Sequence, residues 1–272
     1  MKGKKIASLD ALRRKVNWPD DDILDQVFSD VDITGLQEPA PGFDQELTLP
    51  SCSVAELRLN SCWSNKAMST HNKSCGCPST DRSFWEAQLA GVARDWLRGP
   101  FDSLEEVALL LGETPHVSRR FPLIQGPKVR GIDDLTESGV NSTFGTSNKL
   151  WLMDIDSIAA TIRLLEDILV KGIRSIALRS GEMRTFKVRD SWLNVPWQGK
   201  VTDLSQAYKQ LFVSLKDRWA AVISVFDPGS GKAKFFLQVS LPFGARGSVS
   251  KVTIVIVVVL TICILVYIST SN

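Results

Sequence analysis

Apolar residues recur at helical spacing in several stretches of the chain. Leu9, Leu12 and Val16, then Ile23, Leu24, Val27 and Phe28, predict helical structure over 8–29, broken at Trp18-Pro19. Pro19 suits the first turn of the second helix. Asp20, Asp21 and Asp22 then lie at its positive end, which accounts for them better than a metal site does. Phe84, Trp85, Leu89, Val92, Trp96 and Leu97 trace one face of a helix over 82–98. Another is predicted from Ser103 to Leu111, with Glu105 and Glu106 in its first turn and Gly112 at its stop. The longest covers 154–171, where Ile155, Ile158, Ala159, Ile162, Leu165, Ile168 and Leu169 repeat at three and four before Gly172. A stripe of that kind predicts a core-facing side.

Strand-forming runs follow at 173–178 and 184–188. Two more, 218–226 and 233–241, are joined by Asp227-Pro228-Gly229-Ser230-Gly231-Lys232 and predict a hairpin. Residues 35–50, with Pro39, Pro41, Gly42 and Pro50, read as a loop. Residues 51–80 are rich in Ser, Asn and Cys and read as a flexible loop. They hold Cys52, Cys62, His71, Cys75 and Cys77. Structural zinc is usually bound by closely spaced pairs, and Cys75-Gly76-Cys77 is a poor match, so zinc is not expected. Helices and strands in this order imply an α+β fold rather than a regular βαβ repeat.

The chain has 272 residues, 44% hydrophobic and 23% charged, ordinary values for a globular protein of one large or two modest domains. A net charge of +2 exerts no global pull on nucleic acid. The local run of Arg119, Arg120, Lys128 and Arg130 reads either as a solvated face or as a phosphate-binding patch. Five irregularly spaced cysteines do not make a disulfide framework, which favours a reducing compartment. The basic start Met1-Lys2-Gly3-Lys4-Lys5 is not followed by an apolar run, so no secretory signal is expected and the glycosylation-type triplets at Asn72 and Asn141 would go unused.

Candidate chemistry centres on Val201-Thr202-Asp203-Leu204-Ser205-Gln206-Ala207-Tyr208-Lys209-Gln210, a short apolar strand that delivers one carboxylate and turns into a helical segment. Asp203 reads either as a strand-end cap or as an oxygen ligand for Mg²⁺ held against a nucleoside triphosphate. Two further stretches flank it in order. Upstream lies Lys128-Val129-Arg130-Gly131-Ile132-Asp133-Asp134-Leu135, with Ser138-Gly139-Val140-Asn141. Downstream lies Leu241-Pro242-Phe243-Gly244-Ala245-Arg246-Gly247-Ser248.

The three stretches resemble motif A, the fingers motif and motif B of retroelement reverse transcriptases, RNA-directed DNA polymerases, over 117–249. Trp96-Leu97-Arg98-Gly99-Pro100 is also similar to a segment that precedes the fingers motif in some of them. The resemblance implies a catalytic Asp203 that binds Mg²⁺ together with the backbone of Leu204. Tyr208 would screen the sugar 2′-hydroxyl, and Lys128 and Arg130 would hold the triphosphate of a dNTP. Phe243 and Gly244 would also meet the nucleotide, and Gln210 and Arg246 the template. Lys as a point charge and Arg as a planar fork both suit phosphate oxygens. The family's partners are an RNA or DNA template-primer and dNTPs.

Two departures matter. The distance from the fingers motif to Asp203 is longer than in compact retroviral enzymes. The Tyr-x-Asp-Asp hairpin that supplies the second carboxylate cluster does not follow Gly247, and Asp20-Asp21-Asp22 and Asp133-Asp134 both precede Asp203. Weak Mg²⁺ binding and little or no nucleotidyl transfer are therefore expected.

Val252 to Ile268 carries no charge over 17 residues, the short end of what spans a bilayer as a helix. It reads as a single-pass transmembrane anchor with the preceding domain cytosolic, as a buried strand, or as the product of a shifted or intronic frame rich in uracil. In the last case cytoplasm or nucleus is expected instead of membrane. The expected organisation is a helical and loop segment at 1–50 and a helical region at 51–116 with its Cys/Ser-rich loop at 51–80. An incomplete fingers and palm of a right-handed polymerase follows at 117–249, and a transmembrane helix at 252–268. A tail-anchored protein that uses a polymerase-derived domain to bind a partner or nucleic acid is the rival expectation.

Overall fold

The computed structural model describes residues 10–11, 14–15, 29–39, 44–149, 155–172, 175–177, 181–185 and 206–253. The chain divides into two compact units, one built from Met1–Leu150 with Ser205–Asn272 and the other from Trp151–Leu204.

The first unit is organised by a five-stranded sheet whose central strand is the most apolar. Its strands are β3 (Leu97–Phe101), β4 (Val117–Gln125), β5 (Lys128–Asp134), β9 (Val222–Asp227) and β10 (Lys232–Gln238), in the order β3-β10-β9-β4-β5. The predicted hairpin is the β9–β10 pair, with Lys232 opposite Asp227. The Asp227 carboxylate accepts from Gly229 N–H at 2.8 Å and Ser230 Oγ at 2.7 Å, and Gly231 at φ +70° completes the turn. On its other side β9 runs parallel to β4, with Val117 opposite Val222. A second antiparallel pair, β4 with β5, closes that edge.

Both faces of the sheet are covered, and for that reason β9 reads Val-Ile-Ser-Val-Phe without alternation. Val222, Phe235 and Leu237 pack against Met68 of helix α1 (Val54–His71) and Val107 of α3 (Leu104–Leu111). Ile223, Val225 and Phe236 face the other way, onto Phe84 of α2 (Pro78–Ala93). A smaller sheet orders β1 (Gly35–Gln37), β6 (Phe144–Asn148) and β2 (Gln45–Thr48) as β1-β6-β2. A third core joins Val31, Ile33, Leu57, Leu135, Leu211, Trp219 and Leu241. Asp217 ties its edge: Oδ2 accepts from Ile33 N–H (2.7 Å) and Thr34 N–H (2.8 Å), and Oδ1 from Thr34 Oγ1 (2.8 Å). The second unit contains α4 (Ile155–Leu169) and the hairpin of β7 (Ser175–Ala177) and β8 (Met183–Thr185).

Several expectations are corrected. Residues 51–80 are not a flexible loop, because Ser53 and Glu56 form a capping box that starts the 18-residue α1. The stretch 35–50 contributes two strands, whose backbone groups find partners on β6. α2 ends at Ala93, and Trp96 and Leu97 lie beyond it, after Asp95 at φ +58°. The apolar stripe of α4 is not core: Ile155, Ile158 and Ile162 are exposed and Ile168 is buried.

The fold class as expected, with a carboxy-terminal transmembrane helix, is replaced by a mixed α/β architecture, and the membrane localisation goes with it. Among the described residues no helix is long and apolar enough to cross a membrane. The last described helix, 246–253, packs Ser248 and Val252 into protein interior, and the rest of the apolar run, 254–268, lies outside the described residues. The helices expected over 8–29 also lie outside them, apart from helical residues 10–11 and 14–15.

His116 is the most enclosed ionisable side chain of this packing. Its Nε2–H donates to the Ser138 carbonyl at 2.7 Å, which assigns the tautomer and turns Nδ1 toward Ser61 Oγ at 3.0 Å. Burial pushes its pKa below the ordinary 6.5, against a smaller opposing effect of the Ser138 bond. The unfolded chain therefore takes up this proton first as pH falls. The stability is fully present above 6.5 and is lost as pH drops from there to the folded value, at about 1.4 kcal/mol per pH unit. Urea unfolding between pH 7 and pH 5 should show wild type losing more stability than His116→Asn, and parallel profiles would exclude His116 as the titrating group.

Candidate functional site

The downstream stretch Leu241 to Gly247 forms a turn whose shape depends on glycine. Gly244 sits at φ +119°, and a Cβ there would meet the Asp133 carbonyl oxygen at 2.6 Å. A Cβ on Gly247 would meet the Asp32 carbonyl at 2.7 Å, because helix 246–253 starts directly against the 31–33 segment.

The turn is held by two residues of the upstream stretch. Asp133 N–H donates to the Phe243 carbonyl at 3.3 Å, and Phe243 N–H donates to Asp133 Oδ2 at 3.1 Å. Asn141 Nδ2 donates to the Gly244 carbonyl at 3.0 Å, while its Oδ1 accepts from Arg246 N–H at 2.9 Å. The 3₁₀ turn Val140–Thr143 presents Asn141 for this, entered through Gly139 at φ +84°.

Asp133 is itself neutralised by Arg120, its cross-strand neighbour in the β4–β5 register. Arg120 Nε donates to Oδ1 at 2.5 Å and Nη2 to Oδ2 at 2.9 Å, a bidentate pair buried on both sides. Two further guanidinium donors are used as well: Nη1 reaches Gln88 Oε1 of α2 at 2.8 Å and Nη2 reaches Gln238 Oε1 of β10 at 2.6 Å. Four elements thus converge on one guanidinium.

The middle stretch joins at the turn's outer edge. Ala207–Gln210 is a 3₁₀ turn entered through Gln206 at φ +55°. The Tyr208 ring stands edge-on to Phe243, centroids 5.4 Å apart. Lys209 Nζ donates to the Leu241 carbonyl at 3.3 Å. Burial, and then the charge of Arg120, push the Lys209 ammonium down to about 8, with Asp133 opposing the shift.

Tyr208, Phe243 and Gly244, expected at the nucleotide, therefore share one edge. Lys128 and Arg130 are exposed on the outer part of β5, on the strand face opposite Asp133. Among the described residues nothing joins them to the Tyr208–Phe243 edge. Gln210 is exposed at the end of its turn. Arg246 is exposed at the start of helix 246–253 and lines a cleft of about 390 Å³ with Thr48, Phe144, Asn148 and Val249. Asp203 and the backbone of Leu204 lie outside the described residues. No group of three or more His, Cys, Asp or Glu side chains that could hold a metal ion occurs among the described residues.

Sequence reasoning placed Arg120 in a solvated or phosphate-binding basic run, whereas it is buried on Asp133; it passed over Gln88, Gln238 and Lys209 as site residues and gave Asp133 and Asn141 no role. One signal was available, the single Gln that ends the apolar Phe235-Phe236-Leu237 of β10. The amides of Asn72 and Asn141 are both turned inward, Asn72 Nδ2 to Ser224 Oγ at 3.1 Å.

No family model, no curated protein and no solved structure matches the chain.

Removing one member of the buried pair leaves an uncompensated charge. Arg120→Met and Asp133→Asn should each lower the unfolding free energy in urea by about 3–5 kcal/mol. The double variant should lose less than the sum. Strict additivity in that cycle would show that the two side chains are not coupled.

Proposed function

We propose that the chain is a reverse-transcriptase-like fingers and palm fragment that binds RNA·DNA template-primer and nucleoside triphosphate and carries out little or no nucleotidyl transfer by itself. The observation that supports this reading is the junction of all three polymerase-like stretches. Asp133 and Asn141 of the upstream one hold the backbone of Phe243, Gly244 and Arg246 of the downstream one, and Tyr208 of the middle one meets Phe243. Three stretches separated by tens of residues share one constrained edge, as a site that reads a nucleotide requires.

The roles proposed for the side chains follow from their placement. Tyr208 and Phe243 form an aromatic edge against which a base or sugar can lie. The glycine at 244 keeps the backbone close to Asp133 and leaves space on the turn's outer side. Arg246 and Gln210, both exposed, would face a template strand. Lys128 and Arg130 supply positive charge on the β4–β5 hairpin, where they meet phosphate either of the nucleic acid or of the dNTP. The described residues offer no carboxylate cluster fitted to Mg²⁺, so no step of this reading passes through a metal.

The test is the salt dependence of binding. Fluorescence anisotropy with an RNA·DNA hybrid should give an affinity that falls steeply with salt. Lys128→Ala with Arg130→Ala should weaken binding at low salt and reduce the log–log slope by about one to two. Unchanged affinity and slope in the double variant would overturn phosphate binding by these residues. Sustained primer extension by the wild-type chain alone would overturn the claim of little or no nucleotidyl transfer.

A further inference from the structure

We propose that Cys75 and Cys77 form a redox-active dithiol that reduces small disulfides of the glutathione disulfide class by closing a disulfide between themselves. This site is separate from the Tyr208–Phe243 edge and does not rest on the polymerase reading.

Both thiols are free and exposed, on either side of Gly76. Gly76 adopts φ +85° with no atom within 4 Å of where a Cβ would stand, so the loop is open to an incoming disulfide. The segment is also held in place. The Asp81 carboxylate accepts from the Ser74 hydroxyl and from Cys75 N–H at 3.0 Å, and Gly76 N–H donates to Ser74 Oγ at 3.0 Å. Cys75 Sγ lies 3.7 Å from the Cys77 carbonyl, so the first thiol is already folded back toward the second residue. Two residues of fully extended chain span at most about 7 Å, the upper limit of the Cα separation a disulfide bridges, and Gly76 at φ +85° between them is not extended.

The two sulfurs have different surroundings, and the difference assigns their order of reaction. Cys77 is the N-cap of the 16-residue α2, with Pro78 next, and its Sγ lies 3.2 Å from Ser79 Oγ. Hydrogen bonds from the Ser79 and Thr80 hydroxyls, and then from the Thr80 amide, bring the Cys77 thiol down to about 7. Cys75 is shifted the opposite way, by desolvation first and by the neighbouring Asp81 and Cys77 charges. Cys77 is therefore the attacking sulfur and Cys75 the resolving one.

The Cys77 thiolate attacks one sulfur of the small disulfide. A Cys77 S–S bond forms, the original S–S bond breaks, and one half leaves as a thiolate. Cys75 then loses its proton to water and attacks Cys77 Sγ, expelling the second half as thiolate. Two protein thiols are oxidised to one disulfide, and one small disulfide is reduced to two thiols. Cys77, the better leaving group, makes the closed ring open readily to an incoming thiol.

The experiment uses the full chain with Cys52, Cys62 and Cys263 replaced by Ser, exposed to glutathione disulfide, quenched with acid, labelled with maleimide and read by intact mass. The Cys75/Cys77 pair should lose both labelling sites and carry no glutathione. Cys75→Ser should stop at one glutathione on Cys77, and Cys77→Ser should react about tenfold more slowly. Equal rates for the two single variants, or a stable glutathione adduct on the intact pair, would overturn the proposal.

Discussion

A carboxylate without water must have its charge answered by protein, and Asp133 has it answered by Arg120. Neither side chain can leave this arrangement without exposing the other to a low-dielectric interior. The pair therefore ties β4 to β5. Through Gln88 and Gln238 it ties α2 and β10 to the same point. Because Asp133 also binds Phe243 N–H, the turn at 241–247 inherits the rigidity of the whole sheet. Tyr208 and Phe243 meet on a scaffold, not on a free loop.

The other buried polar groups work in the same manner. Asp217 gathers two amides and a hydroxyl from residues 33–34, and His116 joins α1 to the turn at Ser138. In each case a side chain from one part of the sequence satisfies backbone or hydroxyl groups from another. Such bonds add little net free energy when made and cost much more when one partner is lost. They select one packing of the segments over alternatives with similar apolar burial.

Legibility in the sequence followed the range of the interactions. α3 could be read to its ends, because Ser103, Glu106 and Gly112 act within a turn of their positions. The β9–β10 hairpin was legible for the same reason, through Asp227 and two glycines. α1 carried a local signal too, its Ser53–Glu56 capping box, which the Ser, Asn and Cys content of 51–80 obscured. The stripe of α4 was read correctly as a helix and wrongly as core. Periodicity defines a face but not what covers it. Tyr208, Phe243 and Gly244 were singled out through motif resemblance, and the structure places them on one edge. Arg120 was legible only as one of several surface charges.

By itself, then, the sequence determined the local elements: where helices are capped and where the β9–β10 chain reverses. These depend on residues within a few positions of one another. The tertiary structure alone decided that Asp133 faces Arg120 and not solvent, that Asn141 serves the Gly244 turn 103 residues away, and that Lys128 and Arg130 lie on the strand face opposite Asp133. Those outcomes follow from strand register and from the desolvation of charge, neither of which any short window of sequence contains.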